Sequence, residues 1–396
     1  MPNQQQNLKV YKAGFRLFEQ SLSLQPDQVE AKQLSLKADL VAVHVNVSPS
    51  DAQVYVDGVK QGQGNTTLNL NTLPHKISVR KKGYVTQNDN IVPTRDQKQV
   101  VDVTLLTKEA HYWSQIPNEY TNAFGHSMKL FKSPGAVELG SSRREQGRRA
   151  NEVQYTAQLN KPFYVSLHET SNKQFRNFNA SYSSGNYKKK SLDLGSAPVV
   201  NVSWQQAALY CNWLSEQEDL DPFYQTKKGF VSGQNPNANG YRLLTEVEWA
   251  FLARNKNGSV MTYPWGNSPR PPTKAISNLA DKQASDLITF SLANYDDGYR
   301  GTSPVGRFPA NHRGLFDMAG NASEWVNDWY SAKGNSAGNK VDPLGPDEGE
   351  FHVIRGASWA KGHLPQLRLA YRGFGAKGVH DVGFRVARYA GLTKEK

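Results

Sequence analysis

Apolar positions change their period along this chain. Over residues 7–24, Leu8, Tyr11, Phe15, Phe18 and Leu22 recur at steps of three and four, which lines one face of a helix. Pro26 and Asp27 interrupt the run, and with Asp27 as N-cap a second helix is expected over "QVEAKQLSLKADL". A helical hairpin or stalk over 1–40 is therefore predicted. From residue 41 the period becomes two: "VAVHVNVSPSDAQVYVDGVKQGQGNTTLNLNTLPHKISVRKKGYVTQ" holds short alternating runs split by Ser-Pro, Asp-Gly and Gly-containing turns. That pattern predicts a small antiparallel β-sandwich over 41–106. Residues 107–123, "TKEAHYWSQIPNEYTNA", carry no clear period and read as a linker. Beyond them, 124–390 is mixed α/β with many Gly, Asn and Trp, followed by a short tail, 391–396.

Within the large segment, Ala207, Ala208, Cys211 and Leu214 of "SWQQAALYCNWL" share a helical face, with Ser203 as N-cap. In "TEVEWAFLAR", Thr245 and Glu248 have the spacing of a capping box, ahead of inward-turned Trp249 and Leu252. Both read as core helices. The expected fold class is α+β and loop-rich, since 32 Gly and 20 Pro imply many turns.

Charge narrows the partners only partly. A formal net charge of +12 suits an anionic partner such as nucleic acid, phosphorylated protein, acidic glycan or a membrane surface, or simply a solvated basic face. Arg143, Arg144, Arg148 and Arg149, and Lys188 to Lys190, fall in loops, and no recognised nucleic-acid module accompanies them. The single cysteine, Cys211, excludes an intramolecular disulfide and a Cys-based metal cluster, and its place on an apolar stripe reads as a small buried hydrophobe. No apolar run approaches the ~18–20 residues needed to span a bilayer. "MPNQQQNLKV" lacks the features of a secretory signal. The chain as given reads as soluble, and a periplasmic or envelope location is expected if an export or anchor segment lies upstream.

Three resemblances add to this reading. "YKAGFRLFEQSLSLQPDQVEAK" resembles part of a tetratricopeptide hairpin, although one copy cannot form a solenoid. "SPSDAQVYVDG" followed by "LPHKISVRKKGY" resembles the PEGA domain family, which implies a non-catalytic module found outside the cytoplasm. Five ordered blocks, "FYVSLHETSNKQFRNF", "NVSWQQAALYCNWLSE", "GYRLLTEVEWAFLAR", "TSPVGRFPANHRGLFDMAGNASEWVNDWY" and "VIRGASWAKG…GFRVAR", resemble the sulfatase-modifying factor, or formylglycine-generating enzyme, family over about 124–390. That resemblance implies a compact, irregular fold related to the C-type lectin fold, structural calcium, and in true enzymes a copper-dependent oxidase site. Leu244 stands where the family has Pro, and Ser323 where it has Trp.

Calcium takes six to eight hard oxygens gathered by tight turns. "GLFDMAGNASEW" offers such a turn, and the family pattern places one ion on Asp317 and Glu324 with the carbonyls of Gly320 and Ala322. It places a second on Asn278 and Asp297 with the carbonyls of Leu279 and Tyr299. The alternative is an ion-free arrangement in which Asp317 caps a turn and Glu324 pairs with Arg355 or Arg385.

The family's oxidase chemistry needs two thiolates to hold copper(I). Their positions carry Lys361 and Gln366 here, so no copper is expected and no catalytic residue is assigned. The nine histidines form no His-x-x-x-His pair; His363 and His380 bracket the segment as loop residues, and Asp381 and Glu350 have no acid–base partner by spacing. The segment 359–382 is instead expected to form a displayed binding surface, with Trp359, Lys361, His363, Gln366, Arg368, Tyr371 and Arg372 as contacts, because aromatic and Arg side chains dominate binding hot spots. The expected function is a non-catalytic binding or scaffold protein of a bacterial envelope or secretion-associated complex, with a protein or a glycan as ligand. Competing readings are a metal-dependent oxidoreductase rebuilt around His363, a regulatory partner in a phosphorylation or secretion pathway, and a retroelement-diversified ligand-display protein. The last favours Asn at variable positions, and 359–382 contains none.

Overall fold

The computed structural model describes residues 5–25, 28–132, 134–256, 258–334 and 340–391. The chain divides into two compact units, Met1–Pro117 and Asn118–Lys396.

In the first unit the period-two stretch forms two sheets. Strand Leu40–Ser48 lies between Thr66–Asn71, antiparallel, and Gln99–Thr104, parallel. A second, antiparallel sheet runs in the order Val59–Gln63, Gln53–Val56, His75–Arg80, Gln87–Ile91. Alternate residues of the strands meet in one core: Val43, Val45 and Val47 from the first sheet pack with Val54, Val56, Ile77 and Val79 from the second. Residues between them on the other face are exposed or half-buried, as a pleat requires, with Ser78 the buried exception.

The N-terminal helical hairpin is not formed. Gln6–Val10 and Phe18–Leu22 are instead antiparallel strands, with Leu8 opposite Gln20 and Val10 opposite Phe18. Leu8, Phe18 and Leu22 of the helical stripe occupy even positions, as does Val10, so three of the five residues that suggest a helix also satisfy a period of two. Gly14 breaks the tie: its φ of 80° makes the turn, a conformation closed to a helix interior. Tyr11, placed on the helical stripe, is 77% exposed. Residues 29–38 form no helix, and the proposed N-cap Asp27 lies outside the described residues. The stretch read as a linker contains helix α1, Lys108–Gln115, capped by the Thr107 side chain accepting from the Ala110 N–H at 3.0 Å.

The second unit is built on a five-stranded antiparallel sheet in the order Glu119–Thr121, Ser127–Phe131, Phe163–Ser166, Val386–Tyr389, Tyr241–Leu243. It brings the first and last strands of the unit together. Helices α2 (Asn172–Phe178), α3 (Trp204–Gln217) and α4 (Glu246–Arg254) each start with a full capping box, from Ser171, Ser203 and Thr245. Cys211 is buried in α3, and burial pushes its thiol far above the usual range. A second sheet pairs Gly373–Gly375, His352–Arg355, Ser323–Trp329 and Val382–Gly383. This sheet carries both candidate regions, because Ser323 and Glu324 start one strand and Arg355 leads directly into the Gly356-Ala357-Ser358-Trp359 turn.

Candidate functional site

The segment that follows that turn is for the most part internal. Trp359 is 1% exposed and packs with Leu192, Val200, Leu287 and Ala322. After it, α5 (Leu364–Leu367) adds a single turn. Arg368 is buried and donates through Nε to Glu145 at 2.8 Å, through Nη1 to the Gly147 carbonyl at 2.7 Å, and through Nη1 and Nη2 to both oxygens of Glu152. Arg372 forms a two-pronged pair with Glu246, at 2.6 and 2.9 Å, and donates to the Asn151 and Ser331 carbonyls. Tyr371 is 9% exposed beneath the Arg149 guanidinium. Trp359, Arg368, Tyr371 and Arg372 are therefore not displayed as contacts. A guanidinium has five donors in a rigid fork, which suits these residues to tying loops together from within.

Three expected contact residues remain toward the surface. His363 is exposed and lies against Phe290, ring centres 3.8 Å apart, while Gln366 is half-buried. Lys361 is half-buried as a residue, and its amino group donates to Ser323 Oγ at 2.5 Å. Ser323 Oγ passes the bond on to the Gly356 carbonyl at 3.0 Å. Burial lowers the Lys361 pKa, and Asp381, itself bonded to Ser358 Oγ at 2.7 Å, works against that shift. The two positions that matter for copper thus hold an ammonium tied to a hydroxyl and a neutral amide. Neither offers the soft donor that copper(I) requires. His363 and His380 sit against different rings, Phe290 and Tyr187. Among the described residues no group of three or more His, Cys, Asp or Glu side chains is arranged to hold a metal ion.

An ion here would combine carboxylates with amide and carbonyl oxygens, and the polar contacts at the two calcium-like sets run through Asp297 and Asp317. Asp297 Oδ2 accepts from the Leu279 N–H at 2.8 Å and Oδ1 from the Tyr299 N–H at 2.9 Å, so three of the four residues of that set are in direct contact. Asn278 joins them by chain continuity; its amide donates to the Gly301 carbonyl and to Asn321, while its buried Oδ1 has no partner. Burial raises the Asp297 pKa to about 7. In the other set, Asp317 Oδ2 accepts from the Gly306 N–H at 2.7 Å and its buried Oδ1 is unpartnered. Glu324 pairs with Arg385 at 2.6 Å and accepts from Trp249 Nε1 at 3.0 Å, so the ion pair expected in the ion-free alternative is formed with Arg385. Gly320 leaves no room for a side chain, since a Cβ would lie 1.8 Å from Ser277 Oγ.

Glu169 links the two sets and has no periodic signal in the sequence. It is fully buried, accepting from the Asn321 amide at 2.7 Å and the Ala322 N–H at 2.8 Å. Burial, then the charges of Asp317 and Glu324, push its pKa well up, and Arg385 only partly offsets them. Of these three buried carboxyl groups only Glu324 pairs with Arg385, so the cluster, once ionised, would be short of positive charge. One unpartnered oxygen in each set and this excess of negative charge both fit a hard cation.

Residues 125–390 match the sulfatase-modifying factor enzyme 1-like domain, and residues 40–109 match the PEGA domain. The formylglycine-generating enzyme of Bos taurus is 31% identical over 195 residues, which is 48% of this chain and 43% of that protein. The inactive C-alpha-formylglycine-generating enzyme 2 of Mus musculus is 32% identical over 206 residues, 50% of this chain and 51% of that protein. The chain thus spans about half the length of these relatives. Among solved structures, Treponema denticola variable protein 1 superposes with a TM-score of 0.54 at 23% identity, covering 69% of this chain and 99% of that one, a likeness of fold. With two thirds of its length in that pattern, the chain belongs to the sulfatase-modifying factor family and carries a PEGA domain ahead of the family domain.

Proposed function

We propose that this chain is a non-catalytic binding protein of a bacterial envelope or secretion-associated complex. The observation that carries the reading is the Lys361 ammonium seated on Ser323 Oγ, at 2.5 Å, where the family's oxidase chemistry calls for a thiolate. Gln366 supplies no thiol at the second position, and Cys211 is enclosed within α3. An inactive relative of similar identity supports the same reading. So does the PEGA domain, a module expected outside the cytoplasm. No helix among the described residues is long and apolar enough to cross a membrane, so an envelope location would rest on the partner or on a segment outside this sequence. The ligand is a protein in this reading, held by the accessible part of 359–382, with Lys361, His363 and Gln366 as contacts; a glycan is the alternative ligand. Calcium is structural, held by Asp317, Glu324 and the Gly320 and Ala322 carbonyls, and by Asn278, Asp297 and the Leu279 and Tyr299 carbonyls. Each ionised carboxylate has about four lone-pair sites, so Glu324 can keep Arg385 and still face an ion.

The purified protein, supplied with copper(I) and a cysteine-containing peptide, is expected to consume no oxygen and form no aldehyde above the blank. Turnover would overturn the reading. Partners captured from the native source by wild type and by a His363→Ala/Gln366→Ala double variant should differ by at least one protein. An identical set for both would move the binding face elsewhere.

A further inference from the structure

A cavity of about 530 Å³ lies on the outer side of the Ser323–Trp329 and His352–Arg355 strands, well within the usual size range of small-molecule sites. Its back wall is a stack of three rings. His352 lies between Trp204, centroid 3.6 Å away with the ring planes nearly parallel at 4°, and Trp329, 3.7 Å away. Tyr224 meets Trp204 edge-on. Part of the rim is the loop Asp347-Glu348-Gly349-Glu350, whose three carboxylates are exposed and, among the described residues, have no ion-pair partner. Gly349 seats that loop on the ring wall, since a Cβ there would come within 3.0 Å of Trp329 Cβ.

Charge and hydrogen bonding on this wall point the same way. No Lys or Arg lines the cavity, so a chain of net charge +12 has here a pocket with three negative side chains. The amide groups are already engaged: Asn327 accepts from Tyr224 and donates to Gln234 and to the Leu344 carbonyl, and Gln205 accepts from the Val231 N–H. His352 is 5% exposed and its Nδ1 is enclosed without a partner. Burial holds its pKa at about 3, so the ring is neutral and adds no positive charge to the wall. Exposed carboxylates without cations beside an aromatic wall call for an organic cation that carries N–H groups.

We propose that this cavity binds an alkylammonium group, its methylenes against Trp329 and its nitrogen among Asp347, Glu348 and Glu350. The group would be carried by a free diamine or by the side chain of a lysine in a polypeptide. The inference stands whether or not the 359–382 segment binds a partner.

Cadaverine and Nα-acetyl-lysine methylamide supply the two sources, and 1,5-pentanediol the neutral shape. Titrations followed by calorimetry and tryptophan fluorescence are expected to give saturable binding for at least one amine and none for the diol. The preference between the amines identifies the source. An Asp347→Asn/Glu348→Gln/Glu350→Gln variant, altered only at exposed positions, should weaken amine binding by about ten-fold. A Trp329→Ala variant should weaken it further, with amide hydrogen exchange as the check on folding. Equal binding of amine and diol, unchanged affinity in the rim variant, no amine binding at all, or binding of a neutral oligosaccharide in place of the amines would each overturn the proposal.

Discussion

The two units solve the same problem, holding strands and loops together, with different chemistry. The interior of the sandwich is aliphatic, and among its described residues the only buried polar side chain is Ser78. The interior of the second unit holds Arg242, Arg355, Arg368, Arg372 and Arg385 against Glu248, Glu246, Glu152 and Glu324. Short strands and long loops leave many backbone carbonyls without a ladder partner, and buried guanidinium groups satisfy several at once: Arg385 alone donates to the Ser166, Leu167 and Phe316 carbonyls. A regular sheet needs no such device. The comparison teaches that in this protein buried charge goes with irregular backbone.

The largest effect should come from breaking one such pair. In Glu246, burial opposes ionisation, and Arg372 and Arg355 outweigh it, holding the carboxyl below its usual range. Glu246→Ala leaves both guanidinium groups without their carboxylate and should cost the second unit about 3–5 kcal/mol, against about 2 kcal/mol for Val45→Ala in the sandwich. Segment-resolved hydrogen exchange in denaturant reads each unit separately. A smaller loss for Glu246→Ala than for Val45→Ala would remove the buried pairs from the account of stability.

Calcium sharpens the contrast next. At about a hundred times its dissociation constant, an ion bound only to the folded state stabilises by about 2.7 kcal/mol. Calcium after exhaustive chelation should therefore raise the protection of the second unit and leave the sandwich unchanged, and Asp297→Asn should reduce the gain. Equal protection with and without calcium would contradict the structural-ion assignment.

The effect of pH is the smallest when taken per pH unit. His126 is buried against the Tyr210 hydroxyl at 2.7 Å, and burial, then His168, lowers its pKa to about 3 from an ordinary value of 6.5. The unfolded chain then binds the proton first as pH falls, so this histidine's contribution is complete above pH 6.5 and is lost as pH falls toward 3. The stability difference between wild type and His126→Phe should shift against wild type by about 1.4 kcal/mol per pH unit within that window. Taking the difference cancels the carboxylates Asp297, Asp317 and Asp328, whose raised pKa values act with the opposite sign. A flat difference from pH 6.5 to 4.5 would mean that the ring titrates normally.

How much was legible in the sequence follows the same division. Alternation over 41–106 predicts the sandwich because Val43, Val45, Val47, Val54, Val56, Ile77 and Val79 fall on the inner faces of their pleats. The Ser203 and Thr245 caps could be read because a capping box lies within four residues. That residues 361 and 366 are Lys and Gln needs no structure at all, and it is the ground for proposing a non-catalytic role. Local pattern could not separate helix from hairpin over 7–24, where both periods fit and Gly14 decides. Nor could it tell that Trp359, Arg368 and Arg372 turn inward, because an Arg is read as exposed until its carboxylate is found, and Glu152 and Glu246 lie 216 and 126 residues away. Periodicity reports how a segment faces its neighbours; which groups are covered, paired or left open to a ligand depends on contacts between segments far apart in the chain, and the tertiary structure alone supplies them.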